Sequence, residues 1–447
     1  MFNSIYSLHW HVSKAREFPG LHKKLRQLRQ ESQLSLEAWS ELQNQRLRKL
    51  LIFAKEYVPY YKKIFNKINF NPESADLLSS FNKIPILTKE LVRENLSGLI
   101  AETAERFRMF ENATGGSTGV PLKFYQDHEY KTIATAIDTY AKEWWNIKPY
   151  DRSASVWGAD KEFHDLSWKE RLYQWRYRSR SINAFRMSEK GLLEFCRMLE
   201  RWQPPYLTGY SSALESFAHF ARNHGFDNLN FKAIRSAAEM LWPHQRKLIE
   251  DTFHSPVYNF YGSREVNNLA TECPEEKRLH LISAWRYIEI VDEEGRRLPD
   301  GEPGNIVVTD LSNYSMPFIR YRNEDIGRVA TQPCPCGRPT PVLEELLGRS
   351  TDLIRTSQGD VIHGEYFTHL FYGRNDIRQF QVHQTSLDRV IVRYVPVHGP
   401  LKEYMEEVAK KICRRLGDGV HVEIELCENI PIPSSGKHRF TISDVKN

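Results

Sequence analysis

Apolar side chains recur at helical spacing between Ser35 and Tyr57, where Leu36, Trp39, Leu42, Leu50 and Ala54 fall on one side. Ser35 can cap the segment, Glu37 suits its first turn and Pro59 closes it, so the stretch predicts a helix. Arg46, Arg48 and Lys49 interrupt the apolar stripe. Such a basic helix either lies on an acidic membrane surface or presents a solvated face. The same period predicts helices over Glu129–Trp145, Leu192–Trp202, Ser211–His224 and Pro243–Phe253. The second of these is ended by Pro204 and Pro205, the third by Gly225. Short strand-like runs lie between them at Ser153–Trp157, Ala233–Ser236 and Val257–Phe260. Alternation of this kind argues for an α/β domain.

From Tyr287 the pattern changes. Tyr287–Val291, Gly304–Thr309 and Arg328–Ala330 read as strands separated by turns such as Asp300-Gly301, which predicts an antiparallel β unit. Beyond Gly348 come a strand near Val390–Val395, a helix over Lys402–Leu416 and a strand at Val420–Leu426. The expected fold class is therefore α/β: a large N-terminal domain of α/β subdomains plus an antiparallel β unit, and a small mobile α+β C-terminal domain. The expected division is 1–349 and 350–447, with a hinge inside Arg349–Asp352, because no low-complexity spacer is present.

Composition narrows the function classes. Sixty-two basic against 57 acidic residues in 447 leave a net charge of +5, too balanced to argue for nucleic acid. The N-terminal MFNSIYSLHWHVSKAREF is broken by His9, His11, Lys14 and Glu17, so no secretory signal is read there, and no apolar run is long enough to span a bilayer. Six cysteines in a chain of this length do not make a disulfide framework, which points to a reducing, cytoplasmic setting. The basic, aromatic stretch Trp168–Phe185 is a candidate grip for a phosphorylated or membrane-bound partner, hence for peripheral membrane association. Its other reading is an amphipathic element with arginine stems over a core edge.

Two groups of residues carry candidate chemistry. Ala113–Leu122 reads ATGGSTGVPL, in which Thr114, Gly115, Gly116, Ser117, Thr118 and Gly119 can turn backbone N–H groups and hydroxyls toward an anion. It is not a Walker loop, because no lysine lies in the run. Cys273, His280, Cys334 and Cys336 form the second group; four soft donors suit tetrahedral Zn²⁺, and a site closed by four protein ligands is structural. Cys196, Cys413 and Cys427 sit in apolar patterns and are expected in the core.

The glycine loop, SAAEM around Glu239, YGSRE at Tyr261–Glu265, RYRNED ending at Asp325, LGRSTD at Leu347–Asp352 and PSSGK ending at Lys437 follow one another in order. Together with KIPILTKE at Lys83–Glu90 and CPCGRPTPVLEELLGRSTD, this set resembles the adenylate-forming enzymes of the acyl-CoA synthetase superfamily. Within it the chain is similar to the phenylacetate–CoA ligase family, closest to the branch encoded in capsule and surface-polysaccharide loci. The resemblance implies that Gly115–Gly119 hold the β- and γ-phosphates of ATP, with Val120 where the family often has lysine. It implies that Glu239 lies beside adenine, that Tyr261 and Gly262 belong to the nucleotide site, and that Glu265 holds Mg²⁺, a cation that requires hard oxygen ligands. Arg264 replaces the family's threonine and either supplies charge to the α-phosphate or faces solvent. Asp325 would accept both ribose hydroxyls, Arg349 would sit near ribose and phosphate, and Lys437 would stabilise the charge that develops as a carboxylate attacks the α-phosphate.

The function implied is an ATP-dependent, AMP-forming carboxylate ligase, its tail turning about Thr351 and Asp352 between two half-reactions. A small carboxylic acid would be adenylated. The acyl group would then pass to CoA, to the thiol of a carrier protein or to an amine on a sugar, the last in keeping with a polysaccharide setting. Tyr210, Ala237 and Phe260 are pocket candidates. The rival reading is a non-catalytic nucleotide-binding scaffold of a polysaccharide assembly complex, which the departures at Val120, Arg264 and Thr351 leave open.

Overall fold

The computed structural model describes residues 2–114, 122–157, 172, 174–184, 188–349, 354–357, 361–362, 366–367, 370–371, 374, 376–417, 419–431 and 439–445. The chain forms two compact units: Met1–Asn323 with Arg328–Glu345, and Glu324–Gly327 with Leu346–Asn447.

The main sheet of the first unit is built from strands that the alternation only partly announces. A small hairpin of β1 (Phe110–Ala113) and β2 (Lys123–Gln126) precedes it. Then come β3 (Ser153–Trp157), β4 (Ser179–Asn183), β5 (Tyr206–Tyr210), β6 (Ala233–Ala237) and β7 (Val257–Ser263). They are followed by β8 (Asn267–Glu272), β9 (Leu279–Leu281), β10 (Arg286–Val291), β11 (Gly304–Asp310), β12 (Tyr321–Val329) and β13 (Val342–Arg349). The sheet order is β10-β11-β12-β13-β9-β8-β7-β6-β5-β3-β4. The strands from β4 to β7 pair in parallel and those from β7 to β9 antiparallel. The expected antiparallel β unit is present and continues the same sheet as the parallel strands. The expected strand at Arg328–Ala330 is the end of the longer β12, whose polar Asn323, Glu324 and Asp325 hide it from a hydrophobicity reading.

Helices cover both faces of the parallel half, as such sheets require. Ala154, Val156, Leu207, Ile234 and Val257 meet helices Glu189–Trp202, Ser211–Asn223 and Pro243–Phe253 in one core. Residues of opposite parity, Tyr206, Ala233 and Tyr258, pack with Trp145 at the end of helix His128–Trp144. That helix also buries Ile133, Ile137 and Tyr140 against Leu21, Leu25 and Leu28 of helix Leu21–Glu31. Helix Leu36–Tyr57 is capped by the Ser35 side chain, 3.2 Å from the Ala38 N–H, and Arg46 on it pairs with buried Glu31. Its basic positions are therefore partly used inside the fold: Arg46 also lies 3.9 Å over the Trp285 ring.

In the second unit, the strands His421–Leu426, Arg389–Pro396, Ile377–Ser386 and Thr441–Ser443 form a four-stranded sheet in that order. Helix Lys402–Leu416 closes its core with Met405, Val408, Ile412 and Leu416 against Val382, Val390 and Val392. Cys196 is buried as expected, whereas Cys413 and Cys427 are only half-buried, on the rim of this smaller unit.

Candidate functional site

The β1–β2 hairpin exists to hold a loop. Its register runs Phe110↔Gln126 to Ala113↔Lys123, and beyond it the Thr114 N–H donates to Leu122 O at 3.0 Å. The Thr114 hydroxyl accepts from the Leu122 N–H at 2.9 Å. Thr114 is thereby the closing clasp of the glycine-rich run. Gly115, Gly116, Ser117, Thr118, Gly119 and Val120 lie outside the described residues.

Gln126, the last residue of the hairpin, ties it to the turn between β7 and β8. Its side-chain amide donates to the carbonyls of Arg264 at 3.1 Å and Glu265 at 3.0 Å. The Asn112 amide in turn donates to the Gln126 side-chain oxygen at 2.9 Å. Tyr321 from the RYRNED stretch donates its hydroxyl to the Glu265 carboxylate at 2.9 Å. Glu265 is buried, while Arg264 beside it is exposed. Buried Arg286 donates to Val266 O at 2.7 Å and pairs with Asp310 at 2.8 Å, fixing the far side of the same turn. Burial pushes the Asp310 carboxyl up, against the pull of Arg286. The Glu265 carboxylate, fixed by Tyr321 on a turn whose backbone Gln126 and Arg286 hold, can meet a cation without reorganising.

Tyr261 and Gly262 occupy a bulge in the β7–β8 pairing. A Cβ at Gly262 would lie 2.3 Å from the Asn267 carbonyl oxygen, so only glycine fits there. The Tyr261 hydroxyl accepts from the Asn323 amide at 2.7 Å. Glu239 follows β6, and its carboxylate accepts from the Ser212 N–H at 2.9 Å, at the start of helix Ser211–Asn223. A carboxylate is favoured at that end of a helix, so Glu239 has a local structural partner as well. Asp325 lies on β12, half-buried, within the short stretch that groups with the second unit, and Arg349 is the last residue of β13. Thr351, Asp352 and Lys437 lie outside the described residues.

The pocket candidates fall in one row. Tyr210 pairs with Ala237 and Ala237 with Phe260, at the carboxyl ends of three adjacent parallel strands, where α/β sheets bind ligands. Trp157 at the end of β3 packs on Tyr210 with ring centroids 4.3 Å apart. Residues that pattern reading did not single out, Gln126, Tyr130, Tyr321 and Arg286, serve to hold the Glu265 turn. The available signal was local: Gln126 directly precedes Asp127, which caps helix His128–Trp144, and Tyr321 sits inside a stretch already singled out.

The donor atoms of Cys273, His280, Cys334 and Cys336 all lie within 4.8 Å of one another. Cys273 directly follows β8, His280 lies on β9, and the two remaining cysteines come from the turn before β13, where Gly337 takes a φ of +77°. His280 Nδ1 is 3.1 Å from the Thr340 hydroxyl, which leaves Nε2 facing Cys336 Sγ at 3.4 Å. Burial lowers the His280 pKa to about 4, so the imidazole is neutral near pH 7, the form that ligates metals. Burial pushes the Cys334 thiol up to about 12. Burial also acts to raise Cys336, but the Arg338 N–H and guanidinium outweigh it and hold that thiol below its usual value. Three sulfurs and one nitrogen converging in a buried site fit a Zn²⁺ ion, whose charge would draw all three thiols to thiolates.

Comparison with known proteins finds relatives along most of the chain. Residues 354–444 match the CapK C-terminal domain family. The chain is 25% identical over 415 residues to Protein CapK of Staphylococcus aureus, covering 91% of this chain and 89% of that one. It is 24% identical to the phenylacetate-coenzyme A ligase of Pseudomonas putida, over 88% of this chain and 91% of the relative. Among solved structures it superposes on 2-hydroxyisobutyryl-CoA ligase in the postadenylation state with a TM-score of 0.73, at 20% identity, over 93% of this chain and 91% of that one.

Proposed function

We propose, for a chain that belongs by sequence and fold with the adenylate-forming ligases and ends in a CapK-type domain, that it joins a small carboxylic acid to AMP at the expense of MgATP. It then passes the acyl group to an acceptor. The observation that carries this reading is the Gln126 tie: its side-chain amide joins the hairpin that flanks the glycine-rich run to the backbone carbonyls of Arg264 and Glu265, and Glu265 is the residue whose buried carboxylate Tyr321 holds. That pairing is what MgATP chemistry needs, a cradle for phosphates with a hard oxygen ligand beside it.

In this scheme Thr114 closes the loop in which Gly115–Gly119 hold the β- and γ-phosphates, and Glu265 takes Mg²⁺. Glu239, Tyr261, Gly262 and Arg264 surround the nucleotide, Asp325 accepts the ribose hydroxyls, and Arg349 lies near ribose and phosphate. Lys437, in a tail beginning at about residue 350, meets the α-phosphate during adenylation only, and the tail turns near Thr351–Asp352. The acid binds in the row formed by Tyr210, Ala237 and Phe260. Cys273, His280, Cys334 and Cys336 hold a structural Zn²⁺. The acceptor is the thiol of CoA, as in the names of the ligase relatives, or a carrier thiol or sugar amine, as the CapK likeness suggests for surface polysaccharide synthesis in the cytoplasm.

Pyrophosphate release across a panel of carboxylic acids, with and without CoA, tests the proposal. Release with at least one acid is expected. Release with none, in protein that still binds ATP, would move the chain to the scaffold reading. Acyl transfer that proceeds without CoA would assign the acceptor to an amine or a carrier thiol.

A further inference from the structure

Large apolar side chains left in solvent are not spread evenly over the first unit. Of the eight exposed there among the described residues, five are Tyr6, Leu8, Val12, Leu172 and Trp175. Trp175 is 69% exposed and Leu8 67%, values that a folding core has no use for. Leu8, Val12 and Ala15 lie at i, i+4 and i+7 on helix Phe2–Glu17, and all three are exposed, while Trp10, Ser13 and Lys14 on its other side are buried. The helix therefore buries one side around Trp10 and leaves Leu8 and Val12 in solvent on the other.

The chain near Trp175 is fastened alongside this helix. Arg176 donates to the Ser13 hydroxyl at 2.9 Å, the Tyr177 hydroxyl is 3.0 Å from the same oxygen, and the Arg178 guanidinium lies 4.1 Å over the Tyr6 ring. Two segments more than 150 residues apart in sequence thus share one surface. Its surroundings are cationic. Residues 1–30 and 174–184 together hold nine Lys or Arg and one acid, Glu17; three of the nine are paired, Lys14 with Glu17 at 2.7 Å, Lys24 with Glu129 at 2.6 Å and Arg29 with Glu143 at 2.6 Å. Arg16, Lys23, Arg26 and Arg176 are exposed around the apolar side chains.

We propose that this surface docks on an anionic lipid bilayer, with Leu8, Val12, Leu172 and Trp175 entering the headgroup boundary and the arginines and lysines meeting lipid phosphates. Three features favour lipid over a protein partner. Tryptophan is favoured at the membrane–water boundary. An amphipathic helix with a basic rim binds in the interface plane. The excess of basic over acidic side chains in these two segments suits an anionic surface, where each basic group near the bilayer adds attraction. No helix among the described residues is long and apolar enough to cross a membrane, so the docking is peripheral. It holds whatever reaction the protein catalyses.

The test is flotation of the full chain with vesicles of phosphatidylcholine alone, or with one third phosphatidylglycerol, at low and high salt. The protein should float with the anionic vesicles only, and salt should release it. Leu8→Glu and Trp175→Glu should each weaken binding by about tenfold or more, since each places a charge where an apolar side chain would enter the interface. Both variants must melt at the wild-type temperature, and Trp175→Ser serves as the milder change if Trp175→Glu does not. Failure of the wild-type protein to float with anionic vesicles overturns the proposal, as does full retention of binding in correctly folded variants. A wild-type dimer that Leu8→Glu dissociates without lipid would assign the surface to a second copy and overturn it as well.

Discussion

Gln126 is an uncharged residue with no expected contact to substrate, yet its one amide group joins two parts of the site. Gln126→Ala would leave the carbonyls of Arg264 and Glu265 without that donor, at a cost of about 1–3 kcal/mol. Because Glu265 is proposed to hold Mg²⁺, the expected result is a higher Mg²⁺ requirement for pyrophosphate release. A Mg²⁺ titration that superimposes on the wild type, in a destabilised variant, would make Gln126 a purely structural residue. Asp325 carries a different expectation. Asp325→Ala should weaken ATP binding roughly 10²-fold or more, since two ribose hydroxyls lose a charged acceptor and each such bond contributes about 1.5–3 kcal/mol. Unchanged ATP affinity by calorimetry would remove Asp325 from the site. At this scale the sequence was informative about charge and silent about support: Glu265 stands out in YGSRE, but nothing in the linear order says that Tyr321 and Gln126 hold it.

Elements were legible where local signals agree. Helices Pro243–Phe253 and Lys402–Leu416 occur at their expected boundaries; Pro243 opens the first and Gly417 closes the second. The two N-terminal helices were not anticipated, since Leu8 and Val12 on the outer face blur the stripe that Trp10 helps to form on the inner one. The β1–β2 hairpin was hidden for another reason: its four-residue strands carry Glu111, Asn112, Lys123 and Gln126, whose polar side chains serve pairing and clasping rather than a core. Zinc belongs to this scale. Cys273 directly follows β8, His280 lies on β9, and Cys334 and Cys336 belong to the turn before β13, so a metal there would staple three elements. Freshly purified protein is expected to carry about one Zn²⁺ per chain, the stoichiometry of a closed four-ligand site. Cys334→Ser or Cys336→Ser should lose the metal and melt at a lower temperature, because metal binding is coupled to folding. Elemental analysis that finds no zinc in protein prepared without chelators would contradict the assignment.

At the scale of the whole molecule, the division of labour is the central claim. The first unit holds the Glu265 turn, the loop clasp and the row of Tyr210, Ala237 and Phe260; the second ends in the tail that carries Lys437. The order of the motifs made the superfamily readable even though each is short, because order along a chain is hard to produce by chance. The identity of the acid was not readable, since the proposed row of Tyr210, Ala237 and Phe260, with Trp157 packed on Tyr210, names no shape.

The most direct measurement is a pair of single-turnover assays on Lys437→Ala, one starting from ATP and a carboxylic acid, the other from the preformed acyl-adenylate. If Lys437 meets the α-phosphate only during adenylation, the first assay should slow by roughly 10²-fold or more, the scale of losing one preorganised charge partner. ATP should still bind, and acyl transfer from the preformed adenylate should run at close to the wild-type rate. Equal losses in both assays would contradict a step-specific lysine and with it the two-position account of this ligase.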